Sequence, residues 1–327
     1  MPRTTYDFAP SASLAAIEKR SSLLRKLREF FYDRGFVEVE TPLLADEIIP
    51  ELHIEPIAGG PRPPENDHTM WLQASPELHM KRLLAAGAKA IFQVTRSFRA
   101  GERGPLHNPE FTLVEWYRVG DEMLAGIDLL DDLTQCLLGA PPAARTTYAE
   151  LFQRTVRICP HTATIDELAA AAAQANVAVP VGMNRENRDE WLNLLLATRV
   201  EPQLGRDRPE IVYHYPASQA ALAKTVTTSA GYKVAERFEL YYHGIELANG
   251  YHELADAAEQ RRRFEAVNAA RIADGRRPLP LPESLLAAMK HGLPDCTGVA
   301  LGFDRLVMMA VGAKSIVEVM AFAHDRA

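Results

Sequence analysis

The sequence is short of cysteine. Cys136, Cys159 and Cys296 are the only three in 327 residues, and they form no Cys-x-x-Cys pair. That spacing offers neither a disulfide framework nor a thiolate zinc site, so each reads as a small buried hydrophobe. Basic charge is also scarce: 36 Lys and Arg stand against 43 Asp and Glu, a net −7. A protein that holds nucleic acid mainly through its phosphates shows a basic excess or a long basic stripe. The densest basic cluster here, Arg261-Arg262-Arg263, follows Glu259 in a helical pattern and reads as a solvated helix face. No apolar run approaches the roughly 20 residues of a membrane span, and Met1–Asp7 contains no apolar signal core, so a cytoplasmic protein without membrane contact is expected. A Gly-x-x-x-x-Gly-Lys-Ser/Thr loop is missing, which excludes a P-loop ATPase.

What is present is a chain with 47% hydrophobic and 24% charged residues, enough to bury a sizeable core. Residues 13–34 carry Ile17, Leu24, Leu27 and Phe31 at helical spacing, with Ser13 as N-cap and Gly35 at C′. Residues 36–40 alternate as a short strand that Pro42 stops. Residues 59–66 are turn-rich and read as a surface loop. A short strand from 71, a helix over 76–86 and strands over 91–99 and 110–119 follow, the last two close enough to pair antiparallel. Residues 121–210 read as a helical insertion, in which Thr164-Ile-Asp-Glu167 is a capping box and Trp191–Val200 a further helix. Strands return at 211–215 and 234–253, a helix runs over 256–273, 278–282 is a Pro-rich loop, and an apolar helix ends near 312 before an amphipathic tail. The pattern predicts an α+β fold with a mainly antiparallel sheet, as one domain over 1–327.

Three constellations carry chemistry. In the first, Arg99 ends a polar strand face with Gln93, Thr95 and Ser97, opposite Phe92, Val94 and Phe98; on the partner strand Phe111, Leu113, Glu115 and Tyr117 share a face. A guanidinium suits bidentate binding of phosphate or carboxylate, and a flat ring suits stacking on a base. A half-exposed face with a cross-strand salt bridge would use the same residues. The second is Glu239, Glu246, Asn249, Tyr251 and Glu253, acids that either hold a hard cation such as Mg2+, receive a cationic substrate, or stud a solvated edge. Asn249, Tyr251 and Glu253 share parity, whereas Glu246 joins them only if Gly250 or its neighbours form a bulge. The third is Gly298, Ala300 and Gly302, alternating along a strand with room for a ligand ring, and Arg305 at the start of the next helix, where an anion is favoured. Tight helix-on-strand packing is the alternative there.

In this order the segments resemble the signature motifs of class II aminoacyl-tRNA synthetases: 21–42 the first, 91–117 with Phe-Arg and His-Asn-Pro-Glu-Phe the second, 298–311 with Gly-Phe-Asp-Arg the third. Ser75-Pro-Glu-Leu-His-Met-Lys81, His107-Asn-Pro-Glu-Phe-Thr112 and Glu246–Leu254 resemble the lysyl-tRNA synthetase subgroup. Only about twenty residues precede the first motif, where that subgroup carries an anticodon-binding domain, so none is expected. Tyr215-Pro-Ala-Ser-Gln-Ala220, Pro294-Asp-Cys296 and Gly298-Val-Ala-Leu-Gly302 are similar to the stand-alone paralogues that ligate β-lysine to translation elongation factor P.

The resemblance implies that Arg99 is catalytic and grips the α-phosphate of ATP. It further implies that Ala100, Gly101, Asn108, Glu246, Leu247 and Gly302 contact the nucleotide, that Phe111 and Arg305 sandwich the adenine, and that Glu239 and Glu246 hold Mg2+. Ser75, Pro76, Glu77, Glu115, Tyr117, Asn249, Tyr251, Glu253 and Ala300 would surround lysine or (R)-β-lysine. Elongation factor P is the implied protein partner, without stable tRNA binding; a minimal tRNA-charging enzyme and a non-catalytic lysine or adenylate sensor are the alternatives. A homodimer is implied, with Phe30, Phe31 and Val37 as interface candidates. Two positions depart from the subgroup: Leu106 stands where an arginine is usual, and Ala300 where glycine is usual.

Overall fold

The computed structural model describes residues 8–61 and 69–327. Met1–Asp7, with the signal-core expectation, and most of the turn-rich 59–66 lie outside the described residues. Helix α1 (Leu14–Tyr32) starts where expected, with Ser13 Oγ accepting from the Ala16 N–H. Its left-handed turn falls at Gly35 (φ +76), two residues beyond the Asp33 C-cap. The expected strand over 36–40 shrinks to β1 (Val37–Glu38). A small sheet of β2 (Leu44–Ala45), β3 (Ile57–Pro61) and β4 (Thr69–Leu72) follows, in the order β2-β4-β3. Residues 59–61 therefore close a strand, not a loop.

Next come α2 (Glu77–Ala85), the antiparallel pair β5 (Ala90–Phe98) and β6 (Glu110–Val119), α3 (Met123–Leu138) and β7 (Ala144–Thr147). Helices α4 (Tyr148–Val156), α5 (Ile165–Gln174) and α6 (Arg188–Leu195) lead to β8 (Glu210–Pro216) and β9 (Thr225–Thr227). The hairpin β10 (Lys233–Tyr242) and β11 (Ile245–His252), α7 (Ala257–Ala273), α8 (Glu283–Gly292), β12 (Cys296–Gly302) and α9 (Phe303–Val311) complete the chain. The main sheet runs β1-β5-β6-β12-β11-β10-β8-β7, with β9 paired to β10. It is antiparallel except at its rims, where β1 lies parallel to β5 and β7 to β8.

The helical insertion proves narrower than 121–210. Leu129, Leu130 and Leu133 of α3 join the main core with Phe31, Phe92, Trp116, Phe238 and Leu301, so α3 is a central layer. Strand β7 extends the sheet, and only α4–α6 pack as a separate cluster, around Tyr148, Phe152 and Trp191. Helix α8 lies just past the Pro-rich loop that hid its start. Phe30 and Phe31 are buried inside the chain, Phe31 in contact with the rings of Phe36, Phe92 and Trp116. Of the three interface candidates, only Val37 is exposed. Cys296 is buried as expected, but Cys136 is exposed and Cys159 half-buried. Arg263 is no solvated residue either: it ties Glu259 to the carbonyls of Ala221 and Ala223. No helix among the described residues is long and apolar enough to cross a membrane.

Candidate active site

One face of the central strands meets the helices α1, α3 and α9; the other forms the floor of a hollow of about 140 Å3. Register aligns its side chains in rows across the sheet. Gln93, Glu115, Ala300, Asn249 and Glu239 form one row, and Tyr117, Gly298, Tyr251 and Arg237 the next. Glu246 joins this face by the predicted kink, though not at Gly250. Pairing passes from Leu240↔Ala248 to Tyr241↔Glu246, leaving Leu247 as the extra residue. Leu247 and Ala248 accordingly both enter the apolar core, and Glu246 emerges beside Tyr241. Gly250 is required for another reason: a Cβ there would strike the Phe238 ring.

The hollow is dense with carboxylates. Ser75 Oγ accepts from the Glu77 N–H at 3.1 Å and donates to Glu115 at 2.8 Å, so the turn into α2 brings Glu77 and Glu115 together. The Tyr117 hydroxyl donates to the other Glu115 oxygen at 2.7 Å. Burial, and next the charge of Glu77, push the Glu115 pKa up to about 8. Lys81, 1% exposed, reaches Glu77 at 2.5 Å and Glu253 at 2.6 Å. Burial works against its charge, but Glu253 and Glu77 outweigh that and raise its pKa. Glu253 still titrates high, at about 7, from burial and the repulsion of Glu77. Two carboxylates thus share one internal cation, and negative charge is left over. Gly298 makes room here for protein, since a Cβ would meet the Tyr117 ring and the Glu253 carboxylate. Gly302 is open, its nearest foreign atom 3.7 Å from a built Cβ, and Ala300 lines the hollow.

Two buried acceptors in this lining have no partner among the described residues. Gln73 donates its Nε2 to Thr95 Oγ1 and the Arg96 carbonyl, which leaves Oε1 unpaired. Asn249 donates Nδ2 to the Tyr251 hydroxyl, which leaves Oδ1 unpaired. Unsatisfied buried acceptors beside excess negative charge call for an N–H-rich cation.

Arg99 also lines the hollow, its guanidinium carbon 5.0 Å from the Phe111 ring centroid and its Nη1 3.5 Å from Glu102. Its neighbours fix the loop: the Arg99 N–H donates to the Pro109 carbonyl and the Ala100 N–H to that of Glu55, and Gly101 turns at φ +76. Asn108 is spent on structure, donating to the Glu110 carbonyl and accepting from the His324 N–H. Arg305 donates to the carbonyls of Leu106 and Glu246, with His107 Nε2 at 2.8 Å. Burial and Arg305 lower the His107 pKa, which keeps that nitrogen free to accept. Asp304 accepts from Arg20 and the Thr112 N–H, each at 2.6 Å, and so ties α1, β6 and α9 into one frame.

Sequence reasoning missed Lys81, Gln73, Arg237 and Glu51. Lys81 was readable as an i,i+4 partner of Glu77, and Arg237 shares strand parity with Glu239. Arg237 pairs with Glu239, which also accepts from Tyr215 and Tyr241 at 2.5 Å each. Glu51 lies in irregular chain between β2 and β3, where no period marks it.

The chain matches the family model of class II tRNA synthetases (D, K and N) over residues 4–326 and belongs to that family. Its members are ATP-dependent ligases that activate an amino acid with ATP and Mg2+. A cation carried in on nucleotide phosphates needs one or two carboxylates and water rather than a protein cage. Glu246 suits that: its side chain is 43% exposed in a groove it lines with Glu239, Tyr241 and Arg237, and partial desolvation there and the charge of Glu239 push its pKa up to about 7. Glu239 is largely committed to Arg237 and the two tyrosines. No group of three or more His, Cys, Asp or Glu among the described residues could hold a metal unaided.

Proposed function

We propose that this protein activates β-lysine, in its (R) form, as an aminoacyl-adenylate and transfers it to the ε-amine of a lysine on translation elongation factor P. The observation that carries the amino acid class is the hollow: Glu77, Glu115 and Glu253 gathered around the buried Lys81, with Arg99 elsewhere in the lining and with Gln73 Oε1 and Asn249 Oδ1 unpaired. Within a family that handles aspartate, lysine and asparagine, that charge repels a second carboxylate and leaves a neutral amide unable to relieve it. An amino acid with two ammonium groups suits it. Ala300, in the row between Glu115 and Asn249, puts a methyl group on the floor and favours an amine displaced by one carbon. The acceptor rests on the sequence resemblance, together with the net −7 and Leu106, both poor for holding tRNA.

In the first step a carboxylate oxygen of the amino acid attacks the α-phosphorus, and pyrophosphate leaves with the electron pair of the broken P–O bond. Arg99 would align the two anions from its place between the hollow and Phe111, and Arg305 would support the nucleotide from α9. Bound Mg2+, held through Glu246, would supply charge neutralisation on the phosphates. In the second step the acceptor nitrogen attacks the carbonyl and AMP leaves, so no protein nucleophile is needed.

ATP–pyrophosphate exchange with (R)-β-lysine, (S)-β-lysine, α-lysine, aspartate and asparagine tests the first claim, with exchange expected only for the lysines. Intact mass of elongation factor P and of tRNA after incubation tests the second, with the adduct expected on protein. Exchange with aspartate alone would overturn the reading, and label on RNA would replace the acceptor.

A further inference from the structure

We propose that the groove beside the hollow receives the acceptor amine, and that Glu51, at the junction of the two, is the base that takes its proton; this rests on the ligase reading above. The groove encloses about 700 Å3, and Glu51 and Leu222 line both it and the hollow. At its outer end Asn187, Ser218, Lys233 and Ala266 are exposed, while Glu239 and Gln260 are buried in its wall. The groove wall also carries the Glu246 that would face the nucleotide's Mg2+, and at about five times the volume of the hollow it has room for a second substrate beside the nucleotide, reaching the hollow past Glu51 and Leu222. Gln260, 1% exposed, keeps its Oε1 unpaired among the described residues, an acceptor without a donor on that route.

Glu51 is held by its backbone and free at its side chain. Its carbonyl accepts from Nη1 of Arg271 at 2.9 Å; the same fully buried guanidinium also binds the Ile54 carbonyl and Glu55, and Arg276 binds the Leu52 carbonyl. The Glu51 carboxylate itself has no hydrogen bond or ion pair among the described residues. The charged and titratable groups that face it are Glu77, Arg99, Arg237 and Tyr251. Burial first, then Glu77, push its pKa up to about 7 against the pull of Arg99 and Arg237. A carboxylate half-ionised near neutrality is matched to accepting a proton there.

The step balances. One proton passes from the ε-ammonium to Glu51, and the freed nitrogen lone pair forms the C–N bond. The carbonyl C–O bond to the adenylate breaks with its electron pair leaving on AMP, and the second nitrogen proton departs to the phosphate or to water.

The test compares Glu51→Gln and Glu51→Asp with the unsubstituted protein in three assays: pyrophosphate exchange, hydroxamate formation with hydroxylamine, and transfer to Nα-acetyl-lysine methylamide. Hydroxylamine is unprotonated at neutral pH and needs no base. Glu51→Gln is expected to lower transfer to the lysine amide about 100-fold more than it lowers exchange or hydroxamate formation and to erase the rise of transfer through pH 7, with Glu51→Asp partly active. If exchange or hydroxamate formation fell as far as transfer, Glu51 would be a binding or structural residue and the proposal wrong. Absence of exchange in the unsubstituted protein would instead sink the ligase reading, and this one with it.

Discussion

The two faces of the same five strands are built on opposite terms. On one, Phe92, Trp116, Phe238, Leu247, Val299 and Leu301 pack against α1, α3 and α9, and every contact made on folding is favourable by itself. On the other, Glu115, Glu253, Glu239 and Glu246 are gathered where burial and mutual repulsion raise three of their pKa values. The apolar face is complete without a ligand. The polar face stores unfavourable charge and two unpaired acceptors, which a cationic ligand would relieve. The contrast separates what holds the fold from what it holds ready for chemistry.

The two faces differ most in their response to loss of Lys81. Lys81→Met leaves two buried carboxylates without their cation, and a loss of about 3–5 kcal/mol in denaturant unfolding is expected. Phe238→Ala on the opposite face should lose a similar 3–5 kcal/mol by leaving a cavity. The two differ with pH: the Lys81 variant should regain stability as the solution is acidified, because its carboxylates then fold neutral, whereas the Phe238 variant should not. Equal pH profiles for both would remove the electrostatic account.

Arg99→Ala should lower exchange by about 10²–10³, equivalent to roughly 2.7–4 kcal/mol of transition-state stabilisation, with little change in Tm. Near-normal exchange would remove Arg99 from the chemistry. Glu115→Gln probes stored repulsion. The Glu115 pKa rises from an ordinary 4.5 to about 8, so its contribution to stability is full below pH 4.5 and is lost as pH climbs through 8. The variant should therefore gain Tm over the unsubstituted protein progressively between pH 5 and 8, while its KM for lysine rises; a gap independent of pH would contradict this. Ala300→Gly should have the smallest effect, shifting the kcat/KM ratio between β-lysine and α-lysine toward α-lysine by about 1–3 kcal/mol at most. An unchanged ratio would clear Ala300 of any part in selectivity.

Much of this was readable in advance because it follows from short-range periodicity. The Ser13 cap and the stripe of α1, the antiparallel pairing of β5 with β6, and the shared face of Glu115 and Tyr117 all follow from spacings of two or about 3.6 residues. Even the bulge was legible as a parity conflict at Glu246, although its placement at Leu247 was not. Phe30 and Phe31 went wrong because an amphipathic stripe says that a face is covered, not whether the same chain or another covers it. The insertion was drawn too wide for a similar reason: α3 and the helices after it look alike in sequence, and only packing sorts them into two cores.

Short-range periodicity sets the α+β layout, the face on which the regular strand residues lie, and the residue types gathered for chemistry, because these depend on neighbours a few positions away. Only the closed fold brings Lys81 to Glu253 as well as Glu77, commits Asn108 to His324, and stands Glu51 between two cavities. Those facts join residues separated by up to 216 positions, and burial, on which their charge states depend, exists only once the chain has closed.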